Sequence, residues 1–140
     1  MGNYDAKSNS IRVLAYQAAV KKSKNAKSGF WQVASRDLWR SYIVHELTHA
    51  AIHLGCDNNC PSRAIHEYFA AVAQLSSLPK PVLAELLSHY LELEPFSKMS
   101  EISYTYYDIN PHFFAVKSYK HYQQLSDPRA FFRSVLHPAD

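Results

Sequence analysis

Glycine is scarce in this chain: three in 140 residues, at Gly2, Gly29 and Gly55. That is few for a protein built from many tight β-turns and comfortable for one built from helices. Cysteine is scarcer still, with Cys56 and Cys60 alone, which excludes a disulfide-dense scaffold. Long apolar runs are absent; the longest, around Tyr68 to Leu75, falls well short of the roughly 20 residues that a membrane span requires. The first residues, Met1-Gly2-Asn3-Tyr4-Asp5, have no apolar stretch of the secretory kind, so the expectation is a chain that stays where it is made or one whose signal has been removed. What the chain has in quantity is apolar and aromatic side chains, 47% and 14%, against 19% charged. That composition excludes a disordered segment and, at this length, supports one core that buries about two thirds of the unfolded chain's surface. We therefore expect a single mainly α domain over residues 1–140, with a small strand region at the N-terminus.

The net charge of +3 is unevenly spread. Residues 1–40 carry eight Lys and Arg against two acids, residues 41–110 three against eight, and residues 111–140 four against two. The basic run Lys21-Lys22-Ser23-Lys24-Asn25-Ala26-Lys27 has no interleaved aromatics, so it reads as a solvated loop rather than a nucleic-acid groove. No nucleic-acid partner is expected, and the sequence carries no signal of oligomeric state.

Ile11 to Tyr16 has the β-branched character of a short strand, with a helix over Leu14 to Lys22 as the competing reading. Phe30 to Val33 reads as a second strand or as an aromatic plug beneath the core. From Ser35, a plausible N-cap with Asp37 in the first turn, apolar residues recur at helical spacing through Leu54, and Gly55 closes the helix as a left-handed C-terminal residue. Pro61-Ser62 opens a second helix over Arg63 to Leu78, and a third runs from Pro81 to Leu93 before Pro95 stops it. Ile102 to Tyr107 looks β-like or irregular. Asn110-Pro111 starts a long helix to about Leu125, and Asp127-Pro128 a short one to Leu136.

Within the helix that follows Ser35 stands His45-Glu46-Leu47-Thr48-His49. Two histidines four apart lie about 40° apart around a helix and one turn along it, so both rings reach one Zn²⁺ from the same face. Glu46 sits beside that face, where it can act on a water as general base without ligating the metal. A catalytic zinc needs a third protein ligand and an open position. His53 is about 12 Å from His45 along an unbroken helix, too far to share an ion. The metzincin pattern requires a helix-breaking glycine where Ile52 stands. Cys56 or Cys60 supplies a thiolate alternative, and Glu67 a carboxylate on the returning helix of an antiparallel pair.

The segment His66-Glu67-Tyr68-Phe69-Ala70-Ala71, eighteen residues beyond His49, resembles the glutamate helix of the gluzincins, the thermolysin-like branch of H-E-x-x-H peptidases. The resemblance covers about His45 to Ala71. It implies a minimal zincin-like fold in which His45, His49 and Glu67 hold Zn²⁺ and Glu46 activates water for hydrolysis of a peptide bond in a peptide or protein substrate. It also implies a donor for the oxyanion from a later helix: His112 ranks first, with Tyr119 and Tyr107 as rivals. Two features depart from the family pattern. Ala71 stands where many gluzincins carry an Asp that orients a zinc-binding imidazole, and only 44 residues precede His45, room for two or three short strands and a minimal substrate cleft. The alternative is a zincin-fold binding or accessory module without activity. Cys56 and Cys60, four apart across a turn, are read as a small disulfide loop in an exported protein, or as free thiols in a cytosolic one.

Overall fold

The computed structural model describes residues 1–24, 29–30, 35–56 and 59–136. Two strands, β1 (Gly2–Asp5) and β2 (Ser10–Val13), form an antiparallel hairpin in which Gly2 lies opposite Val13 and Tyr4 opposite Ile11. The Asp5 carboxylate ties the turn by accepting from the Lys7 amide and the Ser8 hydroxyl, and Asn9 takes the left-handed conformation that the reversal needs. Then come helices α1 (Tyr16–Ser23), α2 (Arg36–Gly55), α3 (Arg63–Ser76), α4 (Lys80–Ser88), α5 (Tyr104–Ile109), α6 (Pro111–Gln124) and α7 (Pro128–Leu136), with a 3₁₀ turn at Met99–Glu101. The fold is thus mainly helical with one small antiparallel sheet.

Local chemistry sets the helix starts. Ser35 accepts from the Leu38 amide, Ser103 from Tyr106 and Asn110 from Phe113, with Pro111 in the first turn of α6. Four expectations are corrected here. Residues 104–107 are helical rather than β-like, because the Ser103 cap overrides the β preference of an aromatic run. Gly55 ends α2 without a left-handed turn; among the described residues only Gly29 and Asn9 have positive φ. The helix over Pro81–Leu93 stops at Ser88 instead, because the carbonyls beyond it find other partners: Lys120 Nζ donates to the carbonyls of Tyr90, Leu91 and Leu93, and Lys117 Nζ to those of Glu94 and Pro95. The strand expected over Ile11–Tyr16 is confined to Ser10–Val13, with helix from Tyr16. Phe30 is a buried plug beneath the core, while Trp31 to Val33 lie outside the described residues.

Helix α3 is the spine. Ten of its fourteen residues are buried, so it is apolar nearly all round, as a central helix must be. One side meets Ile52 of α2, Phe96, Phe114 and Leu136 around Tyr68 and Phe69. The other side, at Ala71 and Leu75, meets Phe30, Leu38, Leu86 and Val116. Against α2 the side-chain partners run in opposite order, Ser41 with Gln74 and His49 with Glu67, so the two helices are antiparallel. Cys56 and Cys60, in the connection between them, are joined as a disulfide with Cα atoms 4.8 Å apart.

Candidate metal centre

The antiparallel register of α2 and α3 brings three ligand atoms to one point. His45 Nε2 and His49 Nε2 are 3.1 Å apart, and Glu67 Oε2 lies 3.4 Å from the first and 3.5 Å from the second. The ligand atoms of a tetrahedral zinc, at about 2.0–2.1 Å from the ion, are themselves about 3.3 Å apart. The three sides of this triangle fit that value. Glu67 Oε2 is buried and has no hydrogen-bond partner among the described residues, a costly state for a carboxylate oxygen unless a cation answers it. Burial works to raise the Glu67 pKa, but the two adjacent imidazoles more than offset it and hold the carboxyl down at about 2, in its ligating form. Among the described residues this is the one group of three such side chains close enough to hold a metal.

The orientation that Ala71 does not supply comes from Gln74, one turn further along α3. Gln74 Oε1 lies 3.0 Å from His45 Nδ1 and accepts its proton, which leaves the Nε2 lone pair free for a metal. The amide is held in turn: Gln74 Nε2 donates to Ser41 Oγ, which donates to the Leu38 carbonyl. Sequence reasoning missed Gln74. Its signal was a buried amide seven residues after the glutamate, hence on the same helix face.

Two connected chambers flank the triangle and share Gly2, His45, Glu46 and Tyr107. The larger, about 430 Å³, is walled by β1, His49, Glu67, His66 and Arg63. The smaller, about 240 Å³, is walled by Tyr42, Gln74, Phe30, Lys22 and His112. Glu46 is 6% exposed and stands at their junction. Strand β1 crosses directly over it: a Cβ added at Gly2 falls 2.6 Å from Glu46 Cγ and 2.7 Å from Oε1, so only glycine permits this approach.

His112, at the start of α6, faces the smaller chamber. Its Nδ1 accepts from the Phe30 amide at 3.4 Å, and burial lowers its pKa, so the ring is neutral with its proton on Nε2. Gly29, with φ of 82°, cradles the ring; a Cβ there falls 2.8 Å from it. Tyr107 also reaches the site. Its hydroxyl is kept protonated by burial and by the negative charge of the nearby Glu67 carboxylate. Tyr119 lines neither chamber and packs with the Leu38 and Val116 cluster. His53 lines the larger chamber but lies outside the ligand triangle and meets the Tyr4 hydroxyl at 3.0 Å, and the disulfide removes both thiols as ligands.

No helix among the described residues is long and apolar enough to cross a membrane. No curated protein and no solved structure matches the chain. One family model matches residues 1–139, and by that match the chain belongs to DUF6639, a family of unknown function.

Proposed function

We propose that this protein is a zinc-dependent peptide-bond hydrolase of the gluzincin type, on a minimal zincin-like fold. The observation that carries this reading is the convergence of His45, His49 and Glu67 on one point with side lengths of 3.1, 3.4 and 3.5 Å, beside a buried Glu46 that faces a cleft. When bound, zinc supplies the Lewis acid that acidifies a water and polarises an amide carbonyl. Glu46, next to His45 in sequence and outside the ligand triangle, accepts the proton of the attacking water and later delivers it to the leaving amine. His112 Nε2–H donates to the oxyanion. Tyr107, which lines both chambers, is the rival for that role. Gln74 keeps His45 in its ligating tautomer and so acts on the reaction only through the metal. The disulfide suits an oxidising compartment, and we take the protein to be exported.

A well-folded, unchelated preparation should contain one zinc per chain. Glu46→Gln should keep that zinc and lose turnover of a peptide library. A zinc-free preparation would sink the ligand assignment. A second reading, an inactive zincin-fold binding module, is favoured by one observation: β1 packs so closely on Glu46 that it narrows the approach to the carboxylate. Full zinc occupancy with no peptide cleaved by the wild type would select it.

A further inference from the structure

Arg63 opens α3, one turn before Glu67 on the same face, about 6 Å along the helix axis. It lines the larger chamber together with His66 and Glu67, and among the described residues it has no carboxylate partner. Its guanidinium is nonetheless held in place. The Cζ atom lies 4.0 Å above the centroid of the Tyr104 ring, and Tyr104 in turn packs against Tyr107 at 5.6 Å. The cation–π contact holds the guanidinium without a hydrogen bond, and among the described residues none of its N–H groups has a hydrogen-bond partner, so they remain available to take a carboxylate through two parallel hydrogen bonds. The charge of the chamber points the same way. Its two carboxylates, Glu46 and Glu67, are committed to the reaction and to the metal, so with a dication in place the chamber carries an excess positive charge that Arg63 supplies.

We infer that Arg63 is the specificity-determining residue of the larger chamber, and that it selects peptides carrying a carboxylate on that side of the metal. The inference rests on the proposed peptide-hydrolase reading for its choice of ligand. Two sources present this chemistry, the C-terminal carboxylate of a short peptide and the side chain of an internal Asp or Glu. The first makes the protein a trimming enzyme that works from the chain end, the second an endopeptidase with an acidic preference.

The test is binding, in the Glu46→Gln background so that nothing is consumed. Two matched pairs of N-acetylated alanine-rich hexapeptides are titrated by calorimetry into zinc-loaded protein: free acid against C-terminal amide, and an internal Glu against Gln in otherwise identical amidated peptides. One pair should show the carboxylate peptide bound roughly fivefold tighter, an effect that weakens with salt. Which pair does so identifies the source. Arg63→Gln should abolish the preference, and Arg63→Lys, which keeps charge without the planar fork, should retain only part of it. Repetition on metal-free protein separates the arginine from direct carboxylate binding to zinc, since the Arg63 preference should persist there. Equal affinity within both pairs, or a preference that survives Arg63→Gln, overturns the inference. A carboxylate preference in a protein whose wild type cleaves no peptide keeps the inference and removes the hydrolase reading.

Discussion

The two helices that meet at the metal centre are built differently. Helix α2 contributes the His-Glu-x-x-His stretch, yet only Leu38, Ser41, Glu46 and Ile52 of its twenty residues are buried, and Leu47 and Leu54 are well exposed. Helix α3 contributes a single candidate ligand and lies in the middle of both hydrophobic clusters. The recognisable motif therefore sits on the more solvated helix, and the less conspicuous candidate ligand sits on the one that holds the fold together. Glu67 is rigid because its neighbours Tyr68, Phe69 and Ala70 are locked by packing, whereas His45 relies on a hydrogen-bonded chain through Gln74.

This contrast can be broken at four points. Tyr68→Ala on α3 should have the largest effect, about 3–5 kcal/mol of stability by denaturant titration, because it empties a fully buried site and orphans the His121 ring that meets its hydroxyl at 2.7 Å. Loss of less than about 1 kcal/mol would show that α3 is not the spine. Gln74→Leu should lower zinc affinity tenfold to a hundredfold, roughly 1.4–2.7 kcal/mol, with little loss of fold. Competition with a chromophoric chelator reads it, and an unchanged affinity would mean that His45 needs no orienting partner.

A smaller effect should appear on acidification. Burial depresses the pKa of His121 in the folded chain below its ordinary value. As pH falls below about 6.5 the unfolded chain takes up a proton that the folded chain resists, so this contribution, full above that pH, is lost on the way down through the folded value. Thermal melts of the metal-free protein between pH 7.5 and 5.5 should show the decline, and His121→Gln should flatten it. Leu54→Ala on the exposed flank of α2 should change stability by no more than about 0.5 kcal/mol. A cost of several times that would mean that α2 is covered in solution.

The same contrast explains what could be read from the sequence. The juxtaposition of His45 and His49 was legible because a spacing of four is local geometry, and that of Glu67 with them because a short connection between two helices forces an antiparallel return. The caps at Ser35 and Asn110 were legible for the same local reason. Gln74 was not, since its contact with His45 depends on the exact register of α3 against α2, which no local pattern encodes. Strand β1 was not legible either: Gly2–Asp5 is four residues without alternation, and its pairing is supplied by β2 and by α2 beneath it. Tyr104 to Tyr107 misled because a run of aromatics favours strand on average, while one serine before it decided the outcome.

The glycines give the site a property that a list of ligands does not contain. Two of the chain's three glycines are pressed against Glu46 and His112, the residues proposed to handle protons. On the proposed reading, a single methyl group at position 2 or 29 should therefore uncouple two things that usually fail together: it should leave His45, His49 and Glu67 in place and displace Glu46 or His112. Within the family, a member that keeps the His-Glu-x-x-His stretch but carries a side chain at either of these places should be a metal-loaded protein without turnover, recognisable from one position that no motif search inspects.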